Sequence, residues 1–312
     1  MSKEEQGDAF MKTAKKHHTT SITKWSANWD DAASDYEKAA QIFTHMNNVP
    51  KARAAWDGCS TAHEKAKNPF LAAKAVESLA NFLKEHDTFV KSNEGAHEVS
   101  LLYIRASNMY ALDNKPEKQV DSLVKASRLA PANDASSAAK LMIRGLDALE
   151  DANKHHLTLD LYRGLVLLQV RGNLMLEAIE TLHREIRMFE KLQNPEMASK
   201  AGLEIVLLCL GGLGDWVLAD RQFKELVNKN AYGFSHSKNQ VTAYNFLSAI
   251  EERDEQGLKD CVKDSQLQFI IPDIAKLAKK VTMSGTNAPA KAKKPTGNQT
   301  SNTKDFEDED LR

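Results

Sequence analysis

The chain has 312 residues, of which 42% are hydrophobic and 27% charged, a balance typical of a water-soluble protein with a sizeable core. Its formal net charge of -1 gives no indication of a nucleic-acid-binding field, so nucleic acid is not an expected partner. The three cysteines, Cys59, Cys209 and Cys261, lie far apart in sequence and indicate neither a disulfide framework nor a zinc site.

The N-terminal residues MSKEEQGDAFMK are too polar to form the apolar core of a signal peptide. No apolar stretch reaches the roughly 20 residues that a helix needs to span a bilayer. We therefore expect a cytoplasmic protein, or one that associates peripherally with membranes.

Helix-favouring residues dominate the chain, which contains only 14 glycines and 8 prolines. Prolines and glycines interrupt the apolar pattern roughly every 20 residues, so two segments make a helical hairpin of about 40 residues. The breaks fall at Pro50, Pro69, Gly95, Pro116, Pro131, Gly172, Pro195, Gly214 and Pro272. This period predicts an all-α, tetratricopeptide-like solenoid in which each hairpin buries its apolar stripe against its neighbours.

The first hairpin carries the clearest repeat signature. Trp29, Ala32, Ala33 and Tyr36 have the aromatic, small-pair, aromatic spacing of the first helix of a tetratricopeptide repeat. Cys59 falls on the second helix of this hairpin, between Ala55 and Ala62, where a small buried residue is expected.

The composition changes abruptly near residue 283. The segment SGTNAPAKAKKPTGNQTSNTKDFEDEDLR holds few large apolar residues, and it therefore predicts a disordered tail. The predicted organisation is a repeat region over residues 1–200, a C-terminal helical bundle over 201–283 and the tail over 284–312.

No motif with a recognisable chemistry emerges from the sequence. The glycines near residue 211 are not followed by the Gly-Lys-Ser/Thr of a nucleotide-binding loop. His63 and His97 each precede a glutamate, but Lys67 and Leu101 occupy the positions where a zinc-binding helix needs a second histidine. Cys59 is a conceivable nucleophile, although its packing position favours a structural role. We expect no catalytic residue, cofactor or metal, and hence no enzyme.

Several segments resemble the gamma-type members of the soluble NSF attachment protein family. The first is ITKWSANWDDAASDYEKAAQIFTHMNNVPKARAAW, with its lysine-tryptophan pair and double-alanine helix. The likeness continues through NPFLAAKAVESLANFLKE, GLVLLQVRGNLMLEAIETLHREI and SQLQFIIPDIAKLAKKV. It therefore covers nearly the whole chain up to the tail.

The resemblance implies a fold and a function. Members of the family are twisted sheets of tetratricopeptide-like hairpins that end in a helical bundle. They are adaptors, which bind the four-helix bundle of an assembled SNARE complex and recruit the NSF ATPase to disassemble it. The resemblance implies a role in vesicle-mediated transport, peripherally bound at Golgi and vesicle membranes.

The basic inner face of the family implies three SNARE-binding residues in this chain. Lys84 and Arg163 match its basic positions, whereas a region that is basic in alpha-type members reads KQVDSLVKAS and leaves Lys125 as a third candidate. The alternative is that Lys84 and Arg163 are ordinary solvated helix charges.

Two further contacts are implied by the resemblance. The membrane-contact loop of the family corresponds to SITKWSANW, which makes Ile22 and Trp25 the candidates, with packing as the alternative role of Trp25. The closing EDEDLR resembles the end of alpha-type members, which engages the ATPase. The implied NSF-binding residues are Asp308, Glu309, Asp310 and Leu311. An acidic tail that only adds solubility is the alternative.

Two other functions stay open from the sequence. A generic tetratricopeptide scaffold for peptide C-termini needs a clamp of lysine and asparagine side chains in one groove, and the repeats show no clear clamp. A helical-repeat enzyme subunit needs catalytic groups that converge only in the fold, and nothing in the spacing supports them.

Overall fold

Helices form the architecture of this chain. The computed structural model describes residues 1–19, 27–86, 90–131, 133–229, 231–283 and 287. Within these ranges there are fourteen α-helices and no β-strand, which confirms the predicted all-α class.

The α-helices follow one another along the chain, most of them separated by short connections. They are α1 (Lys3–His18), α2 (Trp29–His45), α3 (Val49–Lys65), α4 (Pro69–Glu85), α5 (Asn93–Leu112), α6 (Pro116–Ser127), α7 (Ala135–Asp151), α8 (Leu159–Arg171), α9 (Met175–Lys191), α10 (Pro195–Leu207), α11 (Trp216–Asn228), α12 (Lys238–Glu252), α13 (Glu255–Cys261) and α14 (Pro272–Ala278). Short 3₁₀ turns lie at His155–Leu157 and Ser265–Gln268, and a π-helical turn at Leu208–Gly212 follows α10.

A recurrent turn joins many of the helices. The residue before the N-cap adopts a positive φ, as in Asn47 (58°), Lys67 (61°) and Gln193 (53°). The next residue is then an asparagine whose side chain accepts a hydrogen bond from the first turn of the following helix. A proline in the first turn completes the pattern in α3, α4 and α10, because its missing N–H is not needed there. Five of the proline breaks therefore mark helix starts, namely Pro50, Pro69, Pro116, Pro195 and Pro272, whereas Pro131 lies in the connection before α7.

Consecutive helices pack antiparallel into four hairpins, α2/α3, α4/α5, α6/α7 and α8/α9, and α1 covers the free side of α2. Helices α2, α4, α6, α8 and α10 form the row of first helices. Helices α3, α5, α7 and α9 form the row of second helices. This arrangement is the predicted helical-hairpin solenoid.

Small residues bring α2 and α3, the two helices of the first hairpin, close together. Ala32 and Ala33 are completely buried, and the Tyr36 ring lies over Gly58 of α3. A β-carbon at Gly58 would come within 2.8 Å of that ring, so only glycine permits this approach. The signature read from the sequence therefore has the packing role that was predicted for it.

Arginines connect successive second helices. Arg53 of α3 pairs with Glu98 of α5, and Arg105 of α5 returns to Glu64 of α3 at 2.8 Å. Further along, Arg184 of α9 bridges to Asp147 of α7 at 2.7 Å. These half-exposed pairs fix the register of neighbouring hairpins more than they stabilise the fold.

The C-terminal helices close the end of the array. The π-helical turn brings Gly211 against the Leu277 carbonyl of α14, where a β-carbon would approach to 2.5 Å. Asn287 accepts a hydrogen bond from the Trp216 backbone at 2.8 Å and so caps α11. One apolar core runs without a break from Ala139 to Val281. The division into domains at residue 200 stays a prediction.

None of the helices in the described ranges is both long enough and apolar enough to cross a membrane.

We expect the buried and exposed leucines to respond very differently to truncation. Leu146 of α7 is 0% exposed, so Leu146→Ala should lower the free energy of unfolding by about 2–5 kcal/mol through lost contacts and a residual cavity. Leu112 of α5 is 79% exposed, and Leu112→Ala should change it by less than about 0.5 kcal/mol. Urea unfolding followed by circular dichroism measures both, and equal losses would contradict this packing of α7.

Candidate partner-binding surface

Lys84 lies in the last turn of α4, on the row of first helices. Its side chain is exposed, and the structure gives it no hydrogen bond or ion pair with any residue that it describes. Lys84 is seven residues after Glu77, so the two share one face of the helix. The ammonium group of Lys84 is therefore available to a partner.

Lys125 of α6 is held by carboxylates of its own chain. Its Nζ lies 2.6 Å from Glu77 of α4 and 2.8 Å from Asp121 of α6. Partial burial lowers the pKa of Lys125, while hydrogen bonds to Asp121 and Glu77 raise it, and the net direction is upward. Glu77 also accepts a hydrogen bond from Tyr110 at 2.7 Å. Lys125 thus links α4 to α6 and is less available to a partner than Lys84.

Arg163 of α8 is half-buried, so part of its side chain contacts solvent while its charge lies near the core. It makes no hydrogen bond or ion pair with the residues the structure describes. Its charge nevertheless acts on two buried carboxyl groups, those of Glu185 in α9 and Glu204 in α10. The three candidate cations are not gathered into one cluster. Helix α6 stands between α4 and α8 in the row, so the axes of the helices that carry Lys84 and Arg163 are roughly 20 Å apart, at 8–10 Å per packing distance.

The two buried glutamates form the least expected polar feature of the fold. Each is only 1% exposed. Glu204 accepts a hydrogen bond from the Ile271 backbone at 2.6 Å, whereas neither carboxyl oxygen of Glu185 has a hydrogen-bond partner in the described part of the chain. Burial first, and then the Glu204 charge, raise the pKa of Glu185 to about 8, while Arg163 lowers it. Burial raises the pKa of Glu204 to about 7, against the Ile271 hydrogen bond and the Arg163 charge.

Sequence reasoning overlooked this pair, although a signal was present. Glu185 falls on the apolar stripe of α9, one turn after Leu182 and one turn before Phe189, and Glu204 follows the buried Leu203. A carboxyl group on the buried face of a helix indicates a shifted pKa.

The cysteines and histidines give no reactive constellation in the described ranges. Cys59 is 1% exposed, and burial, aided by the Glu37 charge, raises the pKa of its thiol to about 12. A neutral buried thiol is a poor nucleophile. No group of three or more histidine, cysteine, aspartate or glutamate side chains could hold a metal ion among the residues described.

Several residues predicted from the resemblance lie outside the described residues. They are Ile22 and Trp25 of the proposed membrane contact, and Asp308, Glu309, Asp310 and Leu311 of the proposed NSF contact. Of the first segment, only its position between α1 and α2 is fixed.

Comparison with known proteins gives two similar chains. The gamma-soluble NSF attachment protein of Dictyostelium discoideum is 24% identical over 283 residues, which cover 91% of this chain and 84% of the relative. That of Arabidopsis thaliana is 27% identical over 306 residues, which cover 97% of each. No protein-family model matches the chain.

The buried pair predicts how stability depends on pH. Unfolded Glu185 ionises near its ordinary pKa, whereas folded Glu185 stays protonated to about pH 8, so the folded state binds more protons between these values. The free energy of unfolding should therefore fall as pH rises from about 5 to 8. Glu185→Gln should reduce this fall by at least about 1 kcal/mol, the equivalent of one pKa unit.

Urea unfolding at pH 5, 6.5 and 8 tests this expectation. The matched control is Glu180→Gln, an exposed position on the same helix, which should leave the pH dependence unchanged. A wild-type stability that is flat across this range, or an equal effect of both substitutions, would mean that Glu185 is not protonated in the folded state.

Proposed function

We propose that this chain, a relative of the gamma-type soluble NSF attachment proteins, is an adaptor that binds assembled SNARE complexes and recruits and stimulates the NSF ATPase. The observation that carries the proposal is the similarity to two proteins with that name over almost the full length of each. The adaptor is not itself an enzyme, and the energy for SNARE disassembly comes from ATP hydrolysis by NSF.

The row of first helices supplies the surface for the SNARE bundle in this proposal. Lys84 and Arg163 each place a cation with no hydrogen bond or ion pair to a described residue on a helix of that row, and the two helix axes are roughly 20 Å apart. An elongated four-helix bundle with acidic side chains can contact both at once. Lys125 contributes less, because a partner would have to compete with Glu77 and Asp121 for it. Such exposed charges steer and orient association more than they add affinity.

Membrane contact is assigned to the connection between α1 and α2. Ile22 and Trp25 lie in the sequence between Thr19, the last described residue after α1, and Asn28, the N-cap of α2. Burial of such side chains in a bilayer contributes on the order of 2 kcal/mol each. We place the adaptor in the cytoplasm, peripherally bound at Golgi and vesicle membranes.

The tail is assigned to NSF. In this organisation the repeats over 1–200 bind the SNARE complex, the bundle over 201–283 ends the array, and the tail over 284–312 reaches the ATPase. Asp308, Glu309 and Asp310 would draw the chain end to a basic ATPase surface, and Leu311 would add an apolar anchor.

Charge reversal at Lys84 should weaken binding to an assembled SNARE complex. We expect Lys84→Glu to raise the dissociation constant about threefold to tenfold at low salt, since the loss of one exposed pair and the new repulsion together are worth about 1 kcal/mol. The effect should shrink as salt is raised. A pull-down with immobilised chain, SNARE complex and NSF, with and without hydrolysable ATP, provides the measurement.

Lys74→Glu is the matched control for this experiment. Lys74 lies on the same helix and is likewise exposed and unpaired within the described ranges. It precedes Lys84 by ten residues, which places it about 15 Å away along the helix axis and about 80° away around it. Charge reversal at Lys84 is preferred to reversal at Arg163, because a new carboxylate beside Glu185 and Glu204 would also destabilise the fold.

Two outcomes of the pull-down would count against these assignments. Equal binding by Lys84→Glu, Lys74→Glu and wild type would exclude the face of α4 that carries Lys84. A chain that captures neither SNARE complex nor NSF would overturn the proposed function.

Truncation of the terminal leucine should separate binding from stimulation. We expect Leu311→Ala to leave SNARE binding unchanged and to raise the concentration needed for half-maximal stimulation of NSF hydrolysis about tenfold, for an anchor worth about 1.5–3 kcal/mol when fully buried. ATPase turnover at limiting adaptor measures this. Wild-type stimulation by the variant would reduce the tail to a solubilising role.

A further inference from the structure

A groove of about 720 Å³ runs between α6 and α8, with α7 as its floor. Its walls are mostly apolar, and several of the apolar side chains are only partly covered. The apolar lining includes Val120 and Val124 of α6, Met142 and Leu149 of α7, and Leu161 and Leu168 of α8. Leu157, at the mouth, is 41% exposed. A groove of this size accepts an aromatic side chain and the backbone on either side of it.

The two ends of the groove carry opposite charges. Helices α6 and α8 are alternate helices of the array and run in the same direction. Glu117 and Asp160 stand at their N-terminal ends, and Arg128 and Arg171 at their C-terminal ends. Glu117 is neutralised by Lys154 and Arg171 by Asp273, but Asp160 and Arg128 are exposed and have no ion pair with any described residue. One unpaired charge of each sign therefore marks the groove.

This charge pattern favours a peptide segment whose charged and apolar side chains follow in a defined order. It requires a cation, then an apolar side chain, then anions, if the segment runs parallel to α6 and α8. The chain itself contains this order near its end, in KDFEDED, where Lys304 precedes Phe306 and the run from Glu307 to Asp310 follows it.

A series of contacts links the groove to Asn287, the last residue that the structure describes. Arg171 at the groove end contacts Asp273 of α14 at 2.6 Å. One helical turn later, Leu277 packs on Gly211. Among the described residues, helix α14 is therefore the only element that separates the Arg171 end of the groove from the π-helical turn along this path.

Asn287 lies at the far end of the same path. Gly211 is four residues before Asp215, which accepts a hydrogen bond from Asn287 at 3.0 Å. The complete path from Arg171 to Asn287 is therefore about 40 Å at most, by the reach of an extended chain. Phe306 is nineteen residues after Asn287, and an extended chain of that length reaches roughly 60 Å. The terminal segment can thus reach the groove of its own molecule.

We propose that the groove between α6 and α8 binds the C-terminal segment of the same chain, with Phe306 on its apolar floor, Lys304 toward Asp160 and the acidic run toward Arg128. This inference goes beyond the proposed function and does not depend on it. In the absence of a partner, the acidic C-terminal segment would then be bound to the helical part of its own chain. A basic partner would compete with Arg128 for the acidic residues and release the segment.

The test places a spin label on the terminal segment of the full chain and observes the groove floor. Cys261→Ser removes the one partly exposed native thiol, since Cys59 and Cys209 are buried, and Thr303→Cys carries the nitroxide. Methionine methyl groups are labelled with ¹³C. We expect the Met142 methyl resonance to lose most of its intensity, while Met46, which follows α2, keeps its intensity.

Substitutions then test the contact of Phe306 with the groove and the pairing of the acidic run with Arg128. Phe306→Ala, which alters none of the described residues, and Arg128→Glu should each restore the Met142 resonance. The matched control Lys118→Glu, on the exposed side of the same helix and outside the groove lining, should leave it broadened. Arg128→Glu combined with Glu307→Lys and Asp308→Lys should recover the broadening.

Three results would overturn the proposal. The first is a Met142 resonance no weaker than that of Met46. The second is broadening that persists in Phe306→Ala or Arg128→Glu. The third is broadening that also appears when spin-labelled chain without ¹³C is mixed with ¹³C-labelled chain without a spin label, which would make a second copy the occupant. Binding of NSF in a pull-down is measured separately, so failure of the groove proposal leaves the adaptor function standing, and the reverse also holds.

Discussion

Every level of this molecule depends on the burial of one helical hairpin against the next. No hairpin covers its own apolar stripe, so each must pack against its neighbours. Within the first hairpin, Ala32, Ala33 and Gly58 let α2 and α3 approach closely while Tyr36 fills the space between them. Stacking then continues in one direction and sorts the helices into two rows. The row of first helices is the one that carries Lys84 and Arg163, so the surface proposed for the partner is a direct result of how the core is closed.

Intramolecular pairing decides which charges remain for binding. Arginines of the second helices form ion pairs between neighbouring hairpins, and Lys125 of α6 forms an ion pair with Glu77 of α4. Lys84 has no such partner among the described residues, although it shares a helix face with Glu77. Arg163 has a double role, because it is the counter-charge of two buried carboxyl groups and also a candidate contact residue. A partner that draws Arg163 outward would favour the protonated form of Glu185.

The helices, their starts and their repeat could be predicted from the sequence, because prolines and capping asparagines are local signals. The same holds for the packing of Ala32, Ala33 and Tyr36. The environment of Lys125 could not be predicted, since its partner Glu77 is 48 residues away and only the stacking of hairpins brings them together. The groove between α6 and α8 is also a property of three helices at once. Contacts of the terminal segment depend on partners or on long chain reach, and no local pattern encodes them.

The closed ends of the array determine where it opens most easily. A linear stack of repeats ordinarily frays from its termini. In this chain α1 seals one end, with Gly7 under the Phe43 ring, and α14 seals the other through Gly211 and Asp273. The interior offers no such end, because Val120 and Val124 of α6 pack against the C-terminal core cluster while Leu141 of α7 packs against the N-terminal one. Opening of the array should therefore begin with the release of α1 or of α14, and the interior hairpins should unfold together.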